Sequence, residues 1–243
     1  MGPNSVPARF LLAVMTAGGF MVAVYDTLHK QPLHPLQFGL LVLIAVVASR
    51  FKVKLPGLNG NMSVNLPFIL IAMVQLSSFE ALIVALCSTA AQSLPKRNGK
   101  CEPIKILFNV STMALAVGLG GWISHHSLLT HATWPSASFG LVLAGASFFL
   151  AQTIPVATII SLTEGGRALQ IWSSIFQLSF PYYVLSTGIT SMATNAAQHA
   201  GAQVPLLVLL VVFATYRSYR LYFGRGETTA RPLSAAKAAG ASD

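Results

Sequence analysis

The sequence predicts an all-α fold, a polytopic integral membrane helical bundle of about eight transmembrane segments with both termini cytoplasmic. Hydrophobic residues fill 54% of the 243 positions and charged residues only 9%, whereas soluble domains carry roughly 25% charge. Apolar runs recur along almost the whole chain. Finally, a single even-numbered threading puts fourteen of the fifteen Lys and Arg residues on one side of a membrane.

The formal net charge of +9 would suit a nucleic-acid binder, but the cations sit at the ends of apolar runs rather than on one polar face. Anionic lipid headgroups of the bilayer are the expected counterions, and no nucleic-acid partner is expected. Cys87 lies in an apolar run and Cys101 beside Lys100. Both fall on the side expected to face a reducing compartment, so no disulfide is anticipated.

The apolar runs cover 8–25, 33–49, 64–78, 79–94, 104–124, 138–162, 168–193 and 204–222, forming one transmembrane domain over 1–223. Five of the eight reach the ~17 to 25 residues that cross a ~30 Å hydrocarbon core. The first run, with Arg9 at its head, shares features with a signal peptide, but the apolar runs that follow at once make a retained span the expectation. The third and fourth runs abut and are read as a hairpin. Arg50, Lys52 and Lys54 precede this stretch and Lys96, Arg97, Lys100 and Lys105 follow it. Basic loops belong in the cytoplasm, so the chain must leave and return between them, turning near Ser77 and Ser78. At ~1.5 Å per residue each arm reaches about 22 to 24 Å, short enough to thin the bilayer or to be re-entrant.

With that hairpin, Arg9, Arg50, Lys52, Lys54, Lys96, Arg97, Lys100, Lys105, Arg167, Arg217, Arg220, Arg225, Arg231 and Lys237 are cytoplasmic and Lys30 is the exception. Pro155 and Pro181 fall inside the sixth and seventh runs, where each removes a backbone donor and should kink its helix. The eighth run ends in Tyr216, Arg217, Tyr219, Arg220 and Tyr222, read as a lipid-interface anchor with rings at headgroup depth and guanidinium groups reaching phosphate. Residues 224–243 lack an apolar period and are expected to be a disordered cytoplasmic tail.

Candidate sites are few. The amides Asn65, Gln75, Asn109, Gln152 and Gln177 lie within apolar runs. Such residues glue helices together, or they line a polar pocket for a small ligand. Asn109 is expected to face the bundle and bond another span. Glu80, just past the hairpin turn, is expected at the interface. His29, His34, His125, His126 and His131 cluster in or beside predicted outer loops and are candidate metal ligands, although no pair has the helical spacing of a zincin. Outer loops also tolerate histidine where lysine is selected against. The sequence contains no H-E-x-x-H, no phosphate-binding loop and no G-x-S-x-G elbow, and it points to no particular cofactor. The Gly118, Gly120, Gly121 group sits where small residues allow close helix approach.

Leu55 and Pro56 followed by Asn61, Ser63 and Asn65, the run Leu107, Phe108, Asn109, the segment Leu162, Glu164, Gly165 with Trp172, and the closing Tyr216-Arg217-Ser218-Tyr219 resemble the N-terminal membrane sensory (MASE-type) modules of bacterial cyclic-di-GMP signalling proteins. The resemblance covers about Arg9 to Tyr222. It implies an inner-membrane input module coupled to a cytoplasmic signalling partner, because no HD-GYP or GGDEF signature occurs in this chain. The expected function is therefore a sensor-like or ligand-binding module without catalysis of its own. The rival is a small-solute transporter or the substrate-binding subunit of one.

Overall fold

The computed structural model describes residues 6–29, 35–54, 61–94, 102–125, 136–200, 205–214 and 217. Among them are seven helices of the main bundle, α1 (Val6–Leu28), α2 (Pro35–Ser49), α3 (Leu66–Gln75), α4 (Ser78–Ser93), α5 (Pro103–His125), α6 (Ser136–Glu164) and α7 (Ala168–Ala200). An eighth helix, α8, covers Pro205–Ala214. Three are long and apolar enough to cross a membrane, over Val6–Leu28, Pro103–Ser124 and Gly140–Glu164. Their outer faces carry large apolar side chains, among them Phe10, Phe20, Trp122, Val142 and Leu143. A water-facing surface would not carry so continuous an apolar covering.

One feature departs from the all-α expectation. Between α2 and α3 the chain forms two short antiparallel strands, β1 (Lys52–Lys54) and β2 (Asn61–Ser63), with Val53 opposite Met62. Strands of three residues are too short for an alternating pattern to register in the sequence.

Helix ends fall alternately at two ends of the bundle. The Arg50 guanidinium, just past α2, donates to the carbonyl of Ala91 at 3.1 Å, placing a cation on the partially negative C-terminus of α4. The Asn109 amide near the start of α5 reaches Ser93 at the end of α4. At the opposite end, Gln37 near the start of α2 meets Gln75 at the end of α3, and the Ser124 hydroxyl contacts the Met73 carbonyl. Phe213 packs edge-on against Phe51, bringing the end of α8 to the Arg50 end. Arg9, at the start of α1, shares a groove with Leu107, near the start of α5. The basic residues thus gather at one end of the described bundle.

The chain turns between α3 and α4 at Leu76 and Ser77, where the charge pattern requires a turn. Leu76 is extended, with φ −110° and ψ 170°. Ser77 then opens α4 with a capping box: its hydroxyl accepts from the Glu80 amide, and the Glu80 carboxylate accepts from the Ser77 amide. Glu80 is fully buried against its protein neighbours. The carboxylate tolerates burial because its 3.1 Å and 2.9 Å hydrogen bonds from the Ser77 amide and hydroxyl replace water at a helix N-terminus, where the backbone dipole favours negative charge.

The core is centred on α3. All residues from Leu66 to Met73 are buried, and α2, α4 and α5 supply most of the surrounding apolar side chains, including Leu41, Ile44, Val84, Ala85, Ala116 and Val117. A helix that is apolar on every side belongs inside a bundle. Glycines admit the closest helix approaches. A Cβ on Gly19 would lie 2.9 Å from the Ser111 carbonyl oxygen, and one on Gly118 would lie 2.6 Å from a Val22 methyl. Gly120 similarly faces Met73 and the Ala144 carbonyl, while Gly121 faces open space. Two of the three clustered glycines therefore permit close packing.

Between α6 and α7 the chain reverses through Gly165 and Gly166, with φ of 86° and 99°, a backbone that residues with a Cβ adopt only under strain. Pro155 and Pro181 lie inside α6 and α7, and both helices continue through them. An aromatic seam joins these helices. Phe149 contacts Phe176, Phe180 and Tyr183 edge-on, and the Trp172 indole donates to Thr153 at 3.2 Å.

Candidate functional site

The densest buried polar grouping surrounds the start of α3. Asn65 occupies the N-cap position without bonding its own helix through the side chain; its amide instead donates to the Ser88 hydroxyl of α4 at 3.1 Å. The Leu66 N–H donates to the Tyr182 hydroxyl of α7 at 3.3 Å. Pro67 has no N–H to satisfy, and Phe68 and Ile69 both donate to the Asn65 carbonyl. Every first-turn donor is thereby accounted for, as burial demands. The Thr190 hydroxyl, which bonds Ser186 on its own helix, also approaches the Pro67 carbonyl at 3.4 Å. A ten-residue helix, about 15 Å long, is thus held at its start by side chains from two neighbours.

Two further buried hydroxyls, one of them next in sequence to Ser88, have unused hydrogen-bonding capacity. Thr89 of α4 and Thr112 of α5 are 4% and 1% exposed, and their Oγ1 atoms have no hydrogen-bond partner among the described residues. Thr89 and Thr112 each lie about one turn along their helices from the Asn109–Ser93 contact. Most helical Ser and Thr residues here bond the carbonyl one turn back, as Thr153, Ser186 and Thr194 do. A buried hydroxyl left unpaired costs about 1 to 3 kcal/mol, so these two, like the Thr16 hydroxyl of α1, would gain from a bound polar molecule.

The five amides singled out from the sequence do not converge on one site. Asn65 is buried at the start of α3, and Gln75 lies at its far end, paired through its carbonyl with Gln37 at 2.8 Å. Gln152 bridges α6 to α5 by donating to the Met113 sulfur. Asn109 does bond another helix, through Ser93 at 3.4 Å, but it is exposed rather than turned into the bundle. Gln177 is exposed on α7. Asn65, Gln75, Asn109 and Gln152 thus serve as inter-helix contacts, the usual role of amides in membrane bundles.

Of the proposed metal ligands, His29 stacks on Tyr25 at 4.3 Å and places its Nδ1 2.9 Å from the Tyr25 carbonyl. His34, His126 and His131 lie outside the described residues, as does the side chain of His125. Among the described residues no group of three or more potential metal ligands occurs. Of the interface anchor, Arg217 is exposed on a helical residue, while Tyr216, Tyr219, Arg220 and Tyr222 lie outside the described set.

Sequence reasoning missed Ser88, Thr89, Thr112 and Tyr182. Hydroxyl side chains in apolar runs are usually satisfied within their own helix, so nothing in their spacing sets these apart. Two local signals were available. The Ser77-x-x-Glu80 spacing is a capping box, and Asn65 followed by Pro67 marks a helix start. Comparison with known proteins adds no family: no family model, curated protein or solved structure matches the chain.

Proposed function

We propose that the protein is an eight-span module of a bacterial inner membrane, with both termini cytoplasmic, that binds a small polar ligand and has no catalytic activity of its own. The supporting observations are the Asn65–Ser88 bond at the start of α3 and the buried, unpaired hydroxyls of Thr89, the residue after Ser88, and of Thr112 on α5. A ligand there would satisfy both hydroxyls and compete for contacts that position a helix packed on all sides. Moving α3 would be felt by α2, α4, α5 and α7, a route from ligand to a cytoplasmic signalling partner. The resemblance to MASE-type sensory modules points the same way.

The site is tested by a thermal-shift screen of small polar solutes on the detergent-solubilised chain. A solute at a hundredfold excess over its dissociation constant should stabilise the protein by about 2.7 kcal/mol, and Thr112→Val should abolish that gain. Without solute, Thr112→Val is expected to be neutral or stabilising by up to about 1 kcal/mol, since it removes an unpaired buried hydroxyl at nearly constant volume. A clear loss of stability in the unliganded variant would show instead that the hydroxyl is structural.

The topology is tested separately. Reporter fusions after Pro95 and after Tyr222 should read as cytoplasmic, and fusions at Thr130 and His199 as periplasmic. A cytoplasmic reading at Thr130 would overturn the eight-span arrangement. A second reading, a small-solute transporter or its substrate-binding subunit, is favoured by α3 itself, because short helices inside the bundle are a feature of transporter binding sites. Uptake of the stabilising solute by proteoliposomes would decide for it.

A further inference from the structure

Helix α1 is the least buried of the long helices; only Ala8, Gly19 and Asp26 along it are buried. Next to its contact with α5 runs an open groove of about 510 Å³. Leu12, Ala13, Ala17 and Phe20 of α1 and Leu107 of α5 form its mostly apolar walls, Thr16 lies among them, and Arg9 stands at one end. Ala13 and Ala17 are one turn apart, so their small side chains form a shallow strip beside the row of Leu12, Thr16 and Phe20. From Arg9 to Phe20 the helix rises about 16 Å, close to the ~15 Å depth of one leaflet's hydrocarbon.

Among the described residues Arg9 has no hydrogen-bond or ion-pair partner. An exposed guanidinium at the end of a mostly apolar groove calls for an occupant with an anionic head and an apolar chain of one-leaflet length. Phosphate matches the guanidinium's paired N–H groups, and Arg9 lies at the bundle end where the other cations collect, the end that attracts anionic lipid.

We propose that the α1–α5 groove is a binding site for an anionic phospholipid, one acyl chain lying along Ala13 and Ala17 with the phosphate paired to Arg9. A second copy of the chain is a less suitable occupant, since it would have to present a carboxylate or other anion opposite Arg9, and the whole sequence holds only 6 acidic residues.

The test is native mass spectrometry of the full-length chain in mild detergent with phosphatidylglycerol, phosphatidylcholine or soluble glycerol 3-phosphate added. The expected result is retention of one phosphatidylglycerol, in preference to phosphatidylcholine. Arg9→Gln should lower its retention roughly fivefold, the effect of one cation at an anionic surface. Ala17→Trp, which fills the groove at an exposed position, should abolish retention with Arg9 still in place. Ala13→Leu serves the same purpose should the tryptophan variant fail to fold, as judged by circular dichroism. Equal retention by wild type and both variants would overturn the proposal, as would equal retention of phosphatidylcholine. So would displacement of the lipid by glycerol 3-phosphate, which would mean a headgroup site without the groove. A dimer that dissociates in Ala17→Trp would overturn it in favour of a second copy.

Discussion

Glu80→Ala is expected to destabilise the protein by about 2 to 4 kcal/mol. Hydrogen bonds to a charged group contribute about 1.5 to 3 kcal/mol, and a buried donor left unpaired costs about 1 to 3 kcal/mol. The substitution incurs both costs, because the Glu80 carboxylate accepts from the amide and the hydroxyl of Ser77. It also leaves a void where a fully buried side chain stood. For a chain of this length the thermal midpoint should fall by roughly 5 to 15 °C. Glu80→Gln is expected to cost clearly less, since its amide oxygen still accepts from Ser77. A glutamine variant as damaged as the alanine variant would mean that the negative charge, rather than the cap, holds the turn. An alanine variant that melts like wild type would refute the structural role altogether.

Gly19→Ile should be comparably severe, about 1 to 3 kcal/mol from overpacking, and it should resist compensation. The Cβ of any residue at this position meets backbone, 2.9 Å from the Ser111 carbonyl oxygen and 3.0 Å from its Cα, so no change of the Ser111 side chain makes room. The only relief is to move α1 away from α5, and Gly19 lies at the middle of the few buried positions of α1. Gly118→Ala provides the contrast. Its Cβ would meet a Val22 methyl at 2.6 Å, a side-chain contact, so adding Val22→Ala should restore most of the lost stability. A double-mutant cycle should therefore give a coupling of about 0.5 kcal/mol or more for Gly118 with Val22, and none for Gly19 with Ser111→Ala. Rescue of Gly19→Ala by Ser111→Ala would contradict the helix approach described here.

The sequence determined the helical, membrane-type character of the chain. An excess of apolar residues with few charges, in runs of helix-spanning length, favours a bundle whose backbone groups are satisfied within helices. It also located the turn near Ser77, from the expectation that the cations flanking the 64–94 stretch lie on one side, and the chain does turn at Leu76 and Ser77. What it could not show was which short helix would lie innermost. The 64–78 run suggested a thin or re-entrant arm, but not that α3 would be the buried centre of the bundle. Apolar residues face lipid and protein neighbours equally well, so hydropathy does not separate a central helix from an outer one.

The polar residues divide along the same line. That Asn65 would serve a helix–helix contact follows from its type and its place in an apolar run. Its pairing with Ser88, and the placement of the Tyr182 hydroxyl on the Leu66 amide 116 positions away in sequence, depend on how α4 and α7 pack around α3. Burial of Glu80 was decided in the same way: the capping box is written in four consecutive residues, but only the surrounding helices exclude water from it. Local spacing fixes which groups can bond within one turn of chain. Which hydroxyls are left without a partner, as at Thr89 and Thr112, is set by inter-helix geometry, because that is where alternative partners are supplied or withheld.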